Sequence, residues 1–210
     1  MIELKNIEKI YNKNVVLENI NVNFMPGHIY GLIGRNGSGK SVLLSIICGL
    51  SKPNQGSVLY NGIDLYKNNS FLPDARALIN GPGFIDNLSG LDNLILLANI
   101  NSKITKERIV ECFEQLDMKE EMNKKYKNYS LGNKQKLGII QVIMEEPQIM
   151  IFDEPFNGLD DKTVKKIRKI LMNYKKNGRI IIIATHIKDD LNLLCDTVYR
   201  IDDRKIKRIK

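Results

Sequence analysis

Apolar residues are spaced differently in different parts of the chain. Strand-sized apolar runs at 28–33, 149–152 and 179–184 predict buried strands, and β-like runs at 1–10 and 15–23 predict an antiparallel β portion. The residues from about 85 to 146 have few β-like runs and follow a helical spacing instead. The apolar residues at this spacing are Leu91, Leu94, Ile95 and Ala98, followed by Ile109, Cys112, Phe113 and Leu116. The pattern predicts an α/β fold with a helical insert.

A glycine-rich loop separates the apolar run at 28–33 from an apolar helix start at 42–47. Its pattern is G-x-x-x-x-G-K-S, and it consists of Gly34, Arg35, Asn36, Gly37, Ser38, Gly39, Lys40 and Ser41. Glycines allow the backbone N–H groups to face a β-phosphate, Lys40 reaches the β/γ oxygens, and Ser41 ligates Mg²⁺. The alternative is a glycine-rich turn with a solvated lysine. The strand–loop–helix setting favours a nucleoside triphosphate site.

Two acidic residues follow the apolar run at 149–152. Parallel strands carry functional groups at their carboxyl edge, so Asp153 and Glu154 are expected to face the phosphates. Asp153 can hold the Mg²⁺ shell, and Glu154 can polarise the attacking water, because phosphoryl transfer depends on a positioned nucleophile. The alternative is a pair of capping acids in a turn.

Residues 129–136, Tyr-Ser-Leu-Gly-Asn-Lys-Gln-Lys, resemble the L-S-G-G-Q signature motif of the nucleotide-binding subunits of ABC transporters. The resemblance extends over essentially the whole chain. It implies a P-loop NTPase with a RecA-like parallel sheet, an N-terminal antiparallel β subdomain and an inserted α-helical subdomain. The ATP-binding core would comprise residues 1–84 and 147–210, and the helical subdomain residues 85–146.

The resemblance also implies a site shared between two ATPase chains. Ser130, as the N-cap of a helix, and Leu131, Gly132 and Asn133 would bind the γ-phosphate of ATP held by a second copy or a homologous subunit. The segment 157–160, which ends in Asp160, resembles the D-loop of the family.

Two further residues receive a role from the resemblance. His186, directly after the run at 179–184, resembles the switch histidine that contacts the γ-phosphate. Tyr11, between the first two β-like runs, matches the aromatic residue that stacks on adenine. A surface histidine and an ordinary strand-end tyrosine are the alternatives.

The chain departs from the family pattern at several positions. Asn80 stands where the family has a glutamine that senses Mg²⁺ and the membrane partner. Its shorter amide suggests contact with the metal through a water, whereas the alternative is that it only shapes the turn before Gly81. Leu131 replaces the first glycine of the signature, and Asn133 replaces its glutamine. Together with residues 82–84 and 87–94, these forms resemble the branch that exports bacitracin and lantibiotics.

Composition limits the classes of protein that remain. The 210 residues and 43% hydrophobic content suit one α/β domain. No apolar run is long enough to span a bilayer. The resemblance therefore implies separate membrane permease subunits, with this chain on the inner face of the cell membrane. The net charge of +8 comes from dispersed lysines without interleaved aromatics, which favours a solvated surface over nucleic-acid binding. Buried free thiols are expected for Cys48, Cys112 and Cys195.

These observations predict a transport-coupled ATPase, an exporter subunit that uses ATP with Mg²⁺. A soluble ABC-type ATPase that acts on the ribosome or nucleic acid is the alternative, although such proteins usually have tandem domains or a long coiled coil. A binding module without hydrolysis is disfavoured, because five residues with roles in binding and hydrolysing ATP occur together. These residues are Lys40, Ser41, Asp153, Glu154 and His186.

Overall fold

A computed structural model describes residues 1–68, 70–187, 191 and 193–210 of the chain. The described strands are β1 (Ile2–Tyr11), β2 (Asn14–Phe24), β3 (His28–Ile33), β4 (Gln55–Tyr60), β5 (Ile63–Asp64), β6 (Ala75–Leu78), β7 (Ile149–Asp153), β8 (Ile180–Thr185), β9 (Thr197–Asp202) and β10 (Lys205–Arg208). The α-helices are α1 (Lys40–Ile47), α2 (Gly90–Asn101), α3 (Lys106–Gln115), α4 (Leu131–Ile143) and α5 (Asp161–Lys176). Two short 3₁₀ helices cover Lys119–Glu121 and Tyr126–Asn128.

The described strands form two sheets. The order β2-β1-β4-β5 makes an antiparallel sheet, and β10-β9-β3-β8-β7-β6 makes a second sheet. In the second sheet every neighbouring pair is parallel except β9 and β10. The fold is therefore α/β with an antiparallel sheet beside a mostly parallel one, which confirms the predicted fold class. The strands predicted at 28–33, 149–152 and 179–184 correspond to β3, β7 and β8.

The second, mostly parallel sheet is the middle layer of the molecule. In β8, Ile181 and Ile183 pack into the hydrophobic cluster that includes the helical insert, whereas Ile180 and Ile182 pack into the cluster beneath the antiparallel sheet. Successive side chains of a strand point to opposite faces, so a strand covered on both faces must be apolar throughout. Burying one such side chain stabilises the fold by about 1.5–3 kcal/mol. These two clusters hold the carboxyl edge of the sheet in place.

The insert between β6 and β7 is helical, as predicted. All of residues 79–148 are described, and they contain α2, α3, α4 and both 3₁₀ helices but no β-strand. Helix α4 packs directly on the sheet, because a Cβ atom at Gly138 would lie 2.9 Å from a methyl carbon of Leu78. One hydrophobic cluster runs from α2 and α3 through α4 to the sheet. The division into a core and a helical subdomain at 85–146 stays a prediction.

Cys48, Cys112 and Cys195 are buried and free of disulfide bonds, as predicted. Burial raises the pKa of the Cys48 thiol to about 12 and that of Cys112 to about 11, so both stay protonated at neutral pH. In the described part of the chain, no helix combines the length and the apolar character that a bilayer span requires.

Candidate nucleotide-binding and catalytic site

The glycine-rich loop joins the end of β3 to the start of α1, in the predicted setting. Gly37 and Gly39 adopt left-handed backbone conformations, with φ of +79° and +99°. At Gly34 a Cβ atom would lie 2.4 Å from Oγ of Ser38 and 2.6 Å from the carbonyl oxygen of Ile201. A side chain at Gly34 would collide with the loop itself, and L-residues are strained at the other two positions. The loop can close this tightly only because these residues are glycines.

Helix α1 presents an uncapped amino terminus to this loop. Its N-cap residue is Gly39, which offers no side-chain acceptor, and its first turn contains no acidic residue. The first N–H groups of a helix lack intrahelical partners and carry a positive partial charge. The strand–loop–helix unit is therefore suited to bind a phosphate group.

Lys40 and Ser41 connect the loop to the acidic strand end. The Lys40 side chain is 6% exposed, and its Nζ donates to the carbonyl oxygens of Gly34, at 2.9 Å, and Arg35, at 3.3 Å. Oγ of Ser41 donates to Oδ2 of Asp153 at 2.5 Å. The charged amine and the hydroxyl thus lie at the base of the loop, where a phosphate and its metal would bind.

The oxygen atoms at this point suit a hard divalent cation. Asp153 is 5% exposed, and its second oxygen, Oδ1, is buried without a hydrogen-bond partner among the described residues. Mg²⁺ prefers oxygen ligands, and it is typically held by one or two carboxylates together with substrate phosphates and waters. Within the same residues, no cluster of three or more His, Cys, Asp or Glu side chains forms a separate metal cage. Ser41 and Asp153 therefore fit Mg²⁺ bound together with a nucleotide.

Glu154 is held on several sides directly after β7. Its backbone is left-handed, with φ of +50°, and its N–H donates to the carbonyl oxygen of Ala184 in β8 at 2.8 Å. Nδ1 of His186 lies 3.0 Å from Oε1, and Nζ of Lys40 lies 3.7 Å from the same oxygen. Oε2 is buried without a hydrogen-bond partner in the described part of the chain. This carboxylate is fixed in orientation and keeps one oxygen unused.

A cavity of about 390 Å³ joins most of these groups. It is lined by Val16, Asn36, Gly37, Gly39, Lys40, Ser41, Val42, Asp153 and Glu154. A second cavity on the other side of the loop is bounded by Gly34, Arg35 and His186, with Arg200 and Asp202 of β9. The structure therefore brings the predicted loop together with Asp153, Glu154 and His186 at one edge of the sheet.

The signature segment, residues 130–133, lies outside both cavities. Ser130 is the N-cap of α4, as predicted, and its Oγ accepts from the backbone N–H of Asn133 at 3.2 Å. Leu131 is 72% exposed. A Cβ atom at Gly132 would lie 2.9 Å from the carbonyl oxygen of Gly158, which belongs to the predicted D-loop. The signature segment and the D-loop thus touch each other and present an exposed face.

Asp160 ends the D-loop and caps helix α5. Its Oδ1 accepts from the backbone N–H of Thr163 at 2.8 Å, and its Oδ2 accepts from the Thr163 hydroxyl at 3.1 Å. These two hydrogen bonds lower the pKa of the Asp160 carboxyl. The side chain therefore has a structural task within its own chain.

Two predicted site residues do not line these cavities. Tyr11 is 45% exposed at the end of β1, its hydroxyl lies 3.2 Å from Oγ of Ser51, and Nζ of Lys9 lies 4.7 Å from its ring centroid. Asn80 lies two residues after β6, is exposed, and has a left-handed backbone with φ of +59°. Neither contacts Lys40, Ser41 or the acidic pair through a hydrogen bond within the described residues.

One residue that sequence reasoning missed is Gln135. It is a buried glutamine of α4, 6% exposed, and its Nε2 donates to the carbonyl oxygen of Glu154 at 3.0 Å. The sequence places Gln135 two positions after the signature residues 130–133, as a polar residue among the apolar positions of α4. That placement does not reveal which group the amide contacts.

Comparisons with known proteins agree on the family. The family model described as "ABC transporter" matches residues 17–157. The bacitracin transport ATP-binding protein BcrA of Enterococcus faecalis is 36% identical over 201 residues, which cover 94% of this chain and 65% of that protein. The chain thus spans about two thirds of the length of BcrA. The uncharacterized ABC transporter ATP-binding protein YybJ of Bacillus subtilis is 36% identical, over 99% of this chain and 95% of that protein.

A third relative and a solved structure extend the comparison. The lantibiotic transport ATP-binding protein SrtF of Streptococcus pyogenes is 32% identical over 98% of this chain and 89% of that protein. The dimeric structure of MJ0796, a bacterial ABC transporter cassette, matches with a TM-score of 0.89 and 25% identity, over 100% of this chain and 99% of that one. None of these comparisons supports the alternative of an ATPase that acts on the ribosome or nucleic acid. The chain therefore belongs to the ABC transporter family of ATPases, as an ATP-binding subunit.

Proposed function

We propose that the chain hydrolyses ATP with Mg²⁺ to power a separate membrane permease that exports a peptide antibiotic or a similar compound. The relatives named for bacitracin and lantibiotic transport support the substrate class. The observation that carries the proposal is the meeting of five groups at one edge of the parallel sheet. These groups belong to Lys40, Ser41, Asp153, Glu154 and His186.

The loop at 34–41 would bind the phosphates of ATP. Its backbone N–H groups and the amino terminus of α1 supply partial positive charge, and Lys40 supplies a full charge to the β/γ oxygens. Ser41 and Asp153 would hold Mg²⁺, with Asn80 acting through a water. When bound, Mg²⁺ neutralises negative charge on the phosphates. Tyr11 would stack on adenine through the ring face that Lys9 leaves uncovered.

Glu154 and His186 would act on the attacking water and the γ-phosphate. Glu154 is held by its backbone and by Nδ1 of His186, so its unused oxygen, Oε2, can accept a proton or a hydrogen bond from a water. His186 keeps its second ring nitrogen for the γ-phosphate. This division of roles needs no covalent intermediate on the protein.

A second ATPase chain would complete each site. The signature segment at 130–133 starts a helix without an acidic first turn, so it can receive negative charge. It lies outside the cavity of its own loop, and therefore its γ-phosphate would come from a second copy or a homologous subunit. The dimeric cassette structure supports such a pairing. The D-loop, which ends in Asp160, would lie in the same interface.

An apolar surface of the helical insert would bind the permease. Phe84 and Ile85 lie opposite Leu96 and Leu97 of α2 around a cavity of about 170 Å³. Ile85 and Leu96 are exposed, and so is Ile100 at the end of α2. Exposed apolar groups that lie together mark interaction sites. Residues 85–146 would thus form a subdomain that holds the chain at the cytoplasmic face of the cell membrane.

Nucleic acid is not among the partners that we propose. The exposed lysines Lys162, Lys165 and Lys169 repeat along α5, while Lys166 pairs with Asp117 at 2.7 Å. No aromatic side chain is interleaved with them on this helix face, so the nucleic-acid pattern is absent from α5.

The Glu154→Gln variant tests the proposed mechanism. It keeps the shape of the side chain and removes the charge that orients the water, so ATP binding should persist while turnover falls by about a hundredfold or more. Steady-state phosphate release and calorimetric titration with ATP measure the two quantities. The Glu111→Gln variant, at an exposed position of α3, is the matched control. Phosphate release at the wild-type rate by Glu154→Gln would contradict the proposal.

A further inference from the structure

Gln135 is the one described side chain of α4 that donates a hydrogen bond to the residue proposed as the catalytic carboxylate. Its amide Nε2 lies 3.0 Å from the carbonyl oxygen of Glu154, and the side chain is almost fully buried. Gln135 lies in the second turn of the helix that begins after Ser130. It therefore joins the signature helix to the acidic strand end.

The contact falls at a strained point of the backbone. Glu154 adopts a φ of +50°, a left-handed conformation that is strained for a residue with a side chain. Its N–H is fixed by the carbonyl oxygen of Ala184, and its carbonyl oxygen is fixed by Gln135. Strained conformations persist when the surrounding structure holds them on more than one side. The backbone N–H of Asn157 also donates to the carbonyl oxygen of Glu154, at 3.4 Å, so Gln135 supplies one of three hydrogen bonds to the backbone of Glu154.

Helix α4 is also anchored to β6 and to the segment that follows it. A Cβ atom at Gly138 would lie 2.9 Å from Leu78 and 3.0 Å from Pro82, so helix and segment are in close contact. Beyond the end of the helix, the buried carboxylate of Glu145 forms an ion pair with Arg76 of β6. Because protein interiors are close-packed, a shift of α4 would be transmitted to the residues that it contacts.

We propose that Gln135 is a positioning residue that sets the orientation of Glu154 and makes it depend on the position of α4. This inference rests on the proposed role of Glu154 in hydrolysis. A partner that binds at the signature segment, or at the apolar surface near Pro82, displaces α4, and the Gln135 amide transmits that displacement to the carbonyl of Glu154. Gln135 itself touches neither the nucleotide nor the attacking water.

Three substitutions at Gln135 separate positioning from simple structural support. Gln135→Leu and Gln135→Met keep the approximate size and remove the donor, and Gln135→His restores an N–H at a similar reach. We expect the first two to lower kcat for ATP by about tenfold, with KM and the ATP dissociation constant within about twofold of the wild type. The histidine variant should recover most of the lost rate. Gln115→Leu, the same chemical change at the exposed end of α3, should match the wild type.

Glu154→Gln belongs in the same series of ATPase, titration and thermal-unfolding measurements. If Gln135→Leu does not fold, Gln135→Met and Gln135→His provide the comparison. Wild-type kcat in the leucine or methionine variant, beside an inactive Glu154→Gln, would overturn this inference alone. A parallel loss of kcat, ATP affinity and thermal stability without recovery in Gln135→His would also overturn it. Full turnover by Glu154→Gln would instead overturn the proposed function on which the inference depends.

Discussion

Two residues of the candidate site other than glycines have left-handed backbones, and they are held in different ways. Glu154 is half-buried, and its backbone forms hydrogen bonds with β8 and α4 that fix its conformation. Asn80 is exposed, and its side chain forms no hydrogen bond within the described residues. Asparagine tolerates this conformation better than most residues. The identity of residue 80 therefore reflects the backbone as well as any contact with a metal, and a substitution must separate the two effects.

Asn80→Gly and Asn80→Ala make this separation. Glycine keeps the left-handed turn and removes the amide, whereas alanine removes the amide and is strained at φ of +59°, by about 1 kcal/mol. If the amide holds a metal-bound water, both variants should need more Mg²⁺ for half-maximal ATPase activity, and only alanine should lower the free energy of unfolding. Mg²⁺ titrations of turnover and urea denaturation measure these effects. If the Mg²⁺ titrations of ATPase activity coincide for wild type and Asn80→Gly, the role of Asn80 is limited to shaping the turn.

At the scale of secondary-structure elements, the features that depend on a local sequence pattern could be predicted better than the contacts between elements that are far apart in the sequence. Successive side chains from Ile180 to Ile183 point alternately into the two hydrophobic clusters, so all four residues are apolar. Such a continuous apolar run allowed β8 to be recognised from the sequence. The loop at 34–41 could also be placed, because its chemistry needs a strand before it and a helix after it. Such features depend on neighbouring residues. They account for most of the candidate site.

Contacts between distant elements could not be predicted in this way. The parallel pairing of β3 with β9 joins Tyr30 to Thr197. The hydrogen bond from Gln135 to Glu154 joins residues 19 positions apart. The close approach of α4 to Leu78 shows up only as a glycine at position 138. No short sequence pattern encodes such a meeting, because it depends on how whole elements pack. Gln135 was missed for this reason.

The start of helix α5 provides a prediction about stability. Asp160 caps the helix through both carboxylate oxygens, and its pKa is lowered by the hydrogen bonds from Thr163. A carboxyl whose pKa is lower in the folded chain than in the unfolded chain stabilises the fold at higher pH. This contribution is lost as the pH falls through the folded-state pKa. Asp160→Ala should therefore lower the thermal midpoint at neutral pH, and its difference from wild type should shrink in acid.

The control is Asp160→Asn, which keeps a good N-cap without a titrating group. Its midpoint should stay near that of the wild type at neutral pH and should not follow the pH dependence of Asp160. Differential scanning calorimetry at several pH values measures all three proteins. Identical midpoints for wild type and Asp160→Ala at neutral pH would show that the cap contributes nothing to stability.

At the scale of the whole molecule, one chain presents two halves of a site that do not meet. The phosphate loop and the acidic pair line one cavity, whereas the signature segment lies outside it, with Leu131 exposed and Gly132 against the D-loop. An exposed helix terminus without an acidic first turn favours a negatively charged partner. ATP bound to the loop of a second chain would provide that charge. A single chain would then bind ATP but lack a complete catalytic site.

The Glu154→Gln protein tests this arrangement because it should hold ATP without consuming it. With ATP and Mg²⁺ its mass by light scattering should double, since the γ-phosphate bridges the two chains, and ADP should leave it monomeric. Adding Ser130→Arg should abolish the dimer. Arginine lacks the hydroxyl that caps α4, and its longer side chain would fill the space of the phosphate. Calorimetry should still detect ATP binding to that double variant, since the loop at 34–41 is untouched. A Glu154→Gln protein that stays monomeric at high concentration with saturating ATP would argue against the shared site.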